Sequence, residues 1–581
     1  MRVIHPRLLP YLQRYRRGLA VGGVCIALAR VVALAQPKVL ELAVDDLYRG
    51  VTAEKLGRYA LILFCISVVA GTFSYFMRQT VIAKSRHIEF DLRNDLFEHL
   101  LKLPLGTFQT RSTGDLMSRA TNDLAAVRMM VGPGFMYLVN TIVGVVVSVG
   151  VMLAISPRLT LYATLPLPLV SLTVWVFGGR IHRRFEQIQS RFAAIASRVQ
   201  ENLAGVRVVR AFAREDSELE QFETLNQDYV RQNLALIRTS GLFHPLLAFL
   251  SGLAAMLGLY LGGREVLSKH LSLGQFVAFT AYLGMLNFPV YALGWVINLF
   301  QRGTASFERI VEILDLEPGI QSPPGALAPE SCRGEIEFRD LTFSYPKAAA
   351  PALRGVSFRV AAGSTVALVG RTGAGMSTML SLLPRVFDPP PGTVFLDGHD
   401  VRDYDLAWLR RNIAFATQEH VLFSETVANN IAYGAPAAAR SEIEGAAILA
   451  QLDAEVLRFP AGYDTLVGER GITLSGGQRQ RACIARALLL DSRVMLFDNC
   501  LSSVDTHTEA GILSALRQHA GNRTTLIVSH RVSSVRDADL ILVLEEGGIA
   551  ERGRHDELVA LGGRYARLAR AQQLEEEIEA S

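Results

Sequence analysis

Apolar residues along this chain change their pattern once, near residue 300. Before that point they gather into long stretches, near 18 to 40, 56 to 76, 130 to 155, 158 to 178, 240 to 263 and 273 to 300. Each is long enough to cross a hydrocarbon core of ~30 Å, which needs about 20 residues in a helix. One such stretch alone reads equally well as a buried soluble helix, but six in the first 300 residues and none afterwards favour six crossings. Between the second and third, and again between the fourth and fifth, lie charged segments of helical character, Arg78 to Arg128 and Gly179 to Thr239. Spans that continue as helices through such segments, at ~1.5 Å per residue, extend well beyond the bilayer. After the change the apolar runs are short. Ser364 to Val369 and Val494 to Asp498 read as buried strands, and Ser377 onward reads as a helix, the pattern of a parallel α/β sheet.

The expected division is therefore a membrane domain over 1–315, a linker over 316–334 that contains Pro-Pro-Gly-Ala-Leu-Ala-Pro, a second domain over 335–575 and a tail over 576–581. Within the second domain, Thr426 to Leu490 is expected to form a helical subdomain. Composition agrees with a membrane protein, being 50% hydrophobic with a mean hydropathy of +0.25. Arg2, Arg7, Arg14, Arg16 and Arg17 crowd the approach to the first stretch, which places the N-terminus in the cytoplasm and, after an even number of crossings, the second domain with it. No cleavable signal peptide is evident, because no short apolar run ends in a small-residue cleavage site. The net charge of +4 suits a protein facing an anionic inner leaflet, and no nucleic-acid motif is present. Cys25, Cys65, Cys332, Cys483 and Cys500 are odd in number, lack metal-ligand spacing and read as small buried residues.

Candidate chemistry concentrates after Val369. Gly370-Arg371-Thr372-Gly373-Ala374-Gly375-Met376-Ser377-Thr378 is a phosphate-binding loop in all but one position. The glycines let backbone N–H groups curve around a polyphosphate, and the following helix points its N-terminal dipole at the anion. Ser377 supplies the hydroxyl expected on Mg²⁺. Met376 stands where the motif has lysine, so charge-assisted contacts worth roughly 1.5–3 kcal/mol are missing. Further along, Gly468-Glu-Arg-Gly-Ile-Thr-Leu-Ser-Gly-Gly-Gln-Arg-Gln-Arg481 precedes a helix, and Val494-Met-Leu-Phe-Asp498 is an apolar strand ending in a carboxylate suited to water-mediated Mg²⁺ binding.

With these motifs in this order the chain resembles an ATP-binding cassette (ABC) exporter half-transporter of the multidrug or lipid exporter type, over essentially its whole length. The implied fold is a membrane all-α six-helix transmembrane domain followed by an α/β P-loop ATP-binding cassette domain with a helical subdomain. The implied cofactors are ATP and Mg²⁺. By the same resemblance Tyr345 stacks on adenine, and Ser377, Gln418 and Asp498 serve the metal, Gln418 also through the attacking water. His530 contacts the γ-phosphate, and Asp505 lies in the loop through which two sites communicate. Leu474, Ser475, Gly476, Gly477 and Gln478 form the signature loop that closes on an ATP held by an opposite subunit. Phe108 to Arg119 and Val209 to Glu215 resemble the family's intracellular tips, which carry force from ATP-driven closure to the spans.

The family's active sites place glutamate after the Mg²⁺ carboxylate, and this chain has Asn499 there. An amide accepts no proton, so a general-base contribution of typically ~10²–10⁴-fold is absent. Met376 and Asn499 face one nucleotide while the signature loop is spared. In a head-to-tail dimer such a chain leaves its own site inactive and completes a competent one on a partner, so the favoured partner is a second ABC half-transporter chain in a heterodimer. A homodimer deficient in hydrolysis is the second reading, and a nucleotide-gated channel or receptor is the third. Both departures remove charge almost isosterically, which fits natural degeneracy and deliberate substitution equally. The other expected partners are the lipid bilayer, taken as a bacterial inner membrane, and a hydrophobic or amphipathic substrate such as a drug, lipid or peptide. Export is favoured over import by analogy alone. Arg30 interrupts the first apolar stretch and is a candidate for an anionic ligand, with helix packing or a water-filled cavity as alternatives. Asn287 and Pro289 are expected to make either a polar kink in the pathway or a simple packing kink.

Overall fold

The computed structural model describes residues 5–346, 348–468, 471, 473–502, 504–520 and 523–580. It divides into two units, one running to Leu101 and from Thr113 to Leu316, the other comprising Lys102–Ser112 and the chain from Glu317 onward.

The first unit is helical throughout. Its opening apolar stretch forms α1 (Arg16–Ala33) and α2 (Gln36–Arg49), and α3 (Ala53–Lys102) follows with 50 residues. At ~1.5 Å per residue that helix is about 75 Å long, so it far exceeds a bilayer. The run from Thr113 to Ile155 contains two wide π turns, Arg119–Asp123 and Met130–Gly134, before α4 (Phe135–Ile155). Next come α5 (Leu167–Ala204) and α6 (Glu215–Leu267), an antiparallel pair tied by Arg191–Asp228 at 2.9 Å and Arg198–Glu218 at 2.6 Å. The apolar stretches of these helices leave large side chains such as Leu61, Phe64, Val146 and Leu259 exposed, as lipid-facing or partner-facing surfaces require.

Among the described residues five helical runs are long and apolar enough to cross a membrane, and the sixth expected stretch is not one uninterrupted helix. It is divided at Leu286 into α7 (Leu273–Met285) and α8 (Asn287–Leu314). Pro289 lacks the N–H that would bond the Met285 carbonyl four residues earlier. Arg30 donates Nη2 to that carbonyl instead, at 3.4 Å. The first stretch is broken in the same way near Pro37, where the Lys38 N–H bonds Ala35 and leaves the Leu34 carbonyl free. Tyr282 of α7 donates its hydroxyl to Leu34 at 2.8 Å, in a buried setting. Each break is thus repaired by a side chain from the other broken helix, as a bilayer without water demands. Pro289 is buried, while the side chain of Asn287 lies outside the described residues. Tyr282→Phe should leave the Leu34 carbonyl unpaired and lower stability by about 1–2 kcal/mol, read as a lower thermal midpoint of the protein in bilayer discs.

The second unit is built on two sheets. Strands β1 (Ile336–Phe343), β2 (Leu353–Val360), β4 (Val394–Leu396) and β5 (His399–Asp400) form an antiparallel sheet in the order β2-β1-β4-β5. The second sheet contains β3 (Thr365–Gly370), β6 (Ile413–Ala416), β7 (Val494–Asp498), β8 (Thr524–Val528), β9 (Leu540–Glu545) and β10 (Gly548–Gly553), in the order β10-β9-β3-β8-β7-β6. All of its pairings are parallel except β9 with β10. β7 and β8 are buried at every position, which is why they read as continuous apolar runs. Helix α9 (Met376–Leu382) follows β3, α10 (Gly476–Leu489) precedes β7, and α11 (Thr506–Ala520) and α12 (Arg564–Ala580) lie nearer the C-terminus.

Candidate functional site

The order of the parallel strands brings the ends of β3, β7 and β8 side by side, and the loops leaving them enclose a cleft of about 270 Å³. Ligands of open α/β sheets bind at such carboxyl ends. Gly375 carries φ 98°, and a Cβ there would stand 2.6 Å from the Ala352 carbonyl oxygen, so the loop closes only with glycine. Ala374 packs inward at 5% exposure, and Thr372, Gly373 and Gly375 line the cleft beside it. Gly370 ends β3, with no room for a Cβ beside the Leu544 carbonyl.

Ser377 and Asp498 come together across 121 residues, with Ser377 Oγ donating to Asp498 Oδ1 at 2.8 Å. Two hard oxygen donors at the mouth of a phosphate loop, with exposed Gln418 lining the same cleft, fit Mg²⁺. Burial pushes the Asp498 carboxyl up from its ordinary value, against the opposing pull of Ser377 and His530. A carboxyl whose folded pKa is raised penalises the fold once ionised, so the penalty is absent at low pH and is complete above the raised value. Asp498→Asn should therefore raise the thermal midpoint of the metal-free protein at neutral pH, where a cation supplies no compensation, while weakening Mg²⁺-dependent nucleotide binding. Unfolding scans with and without Mg²⁺ read both effects.

Tyr345 shares a hydrogen bond of 2.9 Å with Thr378 and packs edge-on against Phe387, which fixes its ring at one wall of the cleft. His530 sits 3.1 Å through Nδ1 from the Gly370 carbonyl. A carbonyl oxygen only accepts, so Nδ1 carries the proton and Nε2 is left for a ligand. Asn499 lines the cleft in the left-handed region at φ 48°, a conformation asparagine tolerates better than most residues. Its N–H bonds the Val528 carbonyl at 3.0 Å, which locks the end of β7 to β8.

Met376 is 5% exposed and belongs to the apolar cluster that includes Leu353, Leu382 and Leu544. Arg371 lies on the neighbouring groove with Arg564 and Arg567 rather than in the cleft. Among the described residues the cleft lining accordingly contains neither lysine nor arginine.

Ser475, Gly476, Gly477 and Gln478 do not line this cleft. They start α10, where Ser475 Oγ accepts from the Gln478 N–H at 3.2 Å and Gln478 Oε1 accepts from the Ser475 N–H at 2.9 Å, a reciprocal cap. Leu474 is buried behind it, whereas Ser475 and Gly476 are exposed. Gln478 is held further by Glu455 at 2.7 Å. Asp505 accepts from the Thr508 N–H at 2.9 Å, and such backbone bonds hold its carboxyl below the usual range. Two supporting residues were not anticipated. Gln572 of α12 donates to the His530 carbonyl at 2.6 Å and accepts from the Val532 N–H at 2.7 Å. Glu509, 2% exposed, is bound by Arg531 at 2.5 Å and so anchors the loop after His530. Neither belongs to a linear motif, and both act on groups 22 to 42 residues away.

Comparison with known proteins agrees with this geometry. The family description "ABC transporter transmembrane region" matches residues 19–290, and "ABC transporter" matches residues 353–502. A probable multidrug resistance ABC transporter ATP-binding/permease protein, YheI of Bacillus subtilis (strain 168), is 36% identical over 97% of both chains. An ATP-dependent lipid A-core flippase of Syntrophus aciditrophicus (strain SB) is 34% identical over 99% of this chain and 95% of its own. The solved structure of a bacterial Atm1-family ABC exporter with ATP bound superposes with a TM-score of 0.78 at 28% identity, covering 97% of this chain and 98% of that one.

Proposed function

The chain belongs to the ABC transporter family as an exporter half-transporter, a multi-pass membrane protein with one ATPase cassette, and on that premise we propose that it is one subunit of an asymmetric exporter. Its own phosphate loop is a weak or inactive site, and its signature loop completes the working site of a second half-transporter chain. The observation that carries this reading is the contrast within one cassette. Met376 sets an uncharged, largely buried side chain at the wall of the cleft and Asn499 offers it an amide, while Ser475 to Gln478 form a capped helix start, exposed at Ser475 and Gly476.

Bound Mg-ATP supplies the phosphoanhydride energy, and the protein's residues divide the remaining work. Backbone N–H groups from Thr372 to Ser377 would cradle phosphate, Ser377 and Asp498 would hold the cation, with Gln418 beside them, and Tyr345 would flank the base. His530, with its tautomer set by Gly370, has Nε2 left to contact a phosphate oxygen and would offer it to the terminal phosphate. Asn499 orients water through hydrogen bonds but cannot take its proton. On the partner's nucleotide, the exposed N-terminus of α10 brings Ser475 and aligned dipoles to developing negative charge.

The domain division 1–315, 316–334, 335–575 and 576–581 is kept, with the split stretch 273 to 300 counted as the sixth crossing and the N-terminus in the cytoplasm. At the first tip, Phe108 to Arg119, the proposed role is transmission of force from ATP-driven closure to the spans. Phe212, 74% exposed at the second, supports docking on another chain. Drugs or lipids, the substrates in the names of its relatives, set the substrate class as amphipathic molecules. The test is ATPase activity at saturating Mg-ATP, alone and with any cassette chain that copurifies. Turnover only with the partner is expected. Brisk turnover of the chain alone would overturn the asymmetric assignment, and uniformly negligible turnover in every preparation would favour the hydrolysis-deficient homodimer.

A further inference from the structure

Arg30 stands near the end of the apolar helix α1, and among the described residues it forms no ion pair with any carboxylate. Among the described residues the guanidinium's only hydrogen bond is the 3.4 Å contact to the Met285 carbonyl, and its Nε is buried without a partner. A guanidinium has five N–H donors, so most of its capacity is unused. Its place is nevertheless built. On α4, a Cβ at Gly144 would sit 3.0 Å from Arg30 Nε and 3.2 Å from Nη2, so the guanidinium lies closely against the bare backbone of this glycine. A charge at membrane depth is expensive unless it meets a water-filled cavity or an anion.

The same helices carry an aromatic patch nearby. Tyr137 lies two turns before Gly144 on α4, about 10 Å along the axis. It packs edge-on against Trp295 of α8 with centroids 4.7 Å apart and lies 6.4 Å from Phe288. Phe288 follows the Met285 carbonyl by three residues, and both Phe288 and Trp295 are exposed at 53% and 44%. A fixed cation and an open aromatic surface therefore share α4 and the α7–α8 break.

We propose that Arg30, seated between Gly144 and the Met285 carbonyl, is an anion-binding subsite for the transported molecule, an amphiphile whose oxyanion lies about 10 Å from an apolar body that meets Tyr137, Phe288 and Trp295. This deepens the reading of the chain as an exporter of amphipathic molecules and rests on it. A phosphate, sulfate or carboxylate headgroup satisfies the chemistry, because the guanidinium can offer two parallel N–H groups to each.

The experiment measures binding of radiolabelled dodecyl phosphate to the full chain in phosphatidylcholine nanodiscs, without nucleotide. Saturable binding is expected, weakened at least about tenfold by Arg30→Gln and less by Arg30→Lys, and not displaced by dodecyltrimethylammonium or by inorganic phosphate. Arg30→Gln keeps an N–H for the Met285 carbonyl, so unchanged affinity in that variant would reduce Arg30 to a helix-break cap and overturn the proposal. Displacement by inorganic phosphate at equal concentration would also overturn it. Should Arg30→Gln fold poorly, Gly144→Leu, whose side chain occupies the space where the guanidinium lies against the bare glycine, is expected to lose binding as well, and retention would count against the subsite. Discs containing phosphatidylglycerol separate the two sources. Loss of dodecyl phosphate binding there identifies a bilayer lipid headgroup as occupant, persistence identifies a separately delivered amphiphile, and both uphold the subsite. Because no hydrolysis is read, a negative result leaves the exporter assignment standing, and failure of that assignment would instead appear as retained binding without ATP-driven uptake.

Discussion

Met376→Lys combined with Asn499→Glu should raise the ATPase rate of the chain purified without a partner by roughly 10²–10⁴-fold, the range ascribed to a positioned general base. Everything else at the cleft is assembled, since Ser377 meets Asp498 at 2.8 Å, His530 is fixed on Gly370 and Tyr345 is fixed on Thr378. Lysine at 376 can lay its methylenes along the apolar slot that the methionine fills and carry its ammonium to the phosphate loop. Glutamate at 499 restores a proton acceptor, at a backbone cost of about 1 kcal/mol for the left-handed φ of 48°. Neither change suffices alone, because residues that act as a unit are strongly non-additive. Single-turnover and steady-state assays of the two single variants and the double variant separate nucleotide binding from the chemical step. A double variant that binds Mg-ATP tightly and still does not turn over would place the defect elsewhere.

Ser475→Ala in this chain should lower turnover of the two-chain assembly by roughly 10²-fold, the scale for losing one donor aimed at developing charge, whereas Met376→Lys should change it by less than about threefold. The asymmetry of the two effects is the point, for it distinguishes a chain that completes its partner's site from one that uses its own. Ser475 also caps α10, and alanine at that position costs about 1 kcal/mol of helix stability. Ser475→Thr keeps both the hydroxyl and the cap and should retain most activity, so a stability effect is recognised by a matching fall in thermal midpoint. Equal losses from Ser475→Ala and from disruption of this chain's own phosphate loop would contradict the asymmetric assembly.

Much of the candidate site was legible in the sequence because its parts are local. The loop from Gly370 to Thr378, the strand ending at Asp498 and the cap from Ser475 to Gln478 each occupy one turn or one strand, and their residue types follow from the backbone geometry of that short piece. The membrane half was legible as apolar length, but the division at Leu286 was anticipated only as a kink at Pro289. What repairs it was not visible, because backbone carbonyls leave no mark in a side-chain pattern. Arg371 illustrates the converse, lying inside the motif yet turned to another groove.

By itself the sequence determined the two-part architecture, marked the candidate phosphate loop, metal carboxylate and signature, and set Met376 and Asn499 where lysine and glutamate are usual. These depend on composition over a span or on neighbours within a few residues. Only the tertiary structure decided that Met376 packs with an apolar cluster at the wall of the cleft, that Gln572 and Glu509 steady the loop around His530, and that Arg30 and Tyr282 cap each other's broken helices. Those outcomes join groups as far as 255 residues apart, and their energy resides in which buried donor reaches which orphaned acceptor, a matter settled only when the helices and strands have packed.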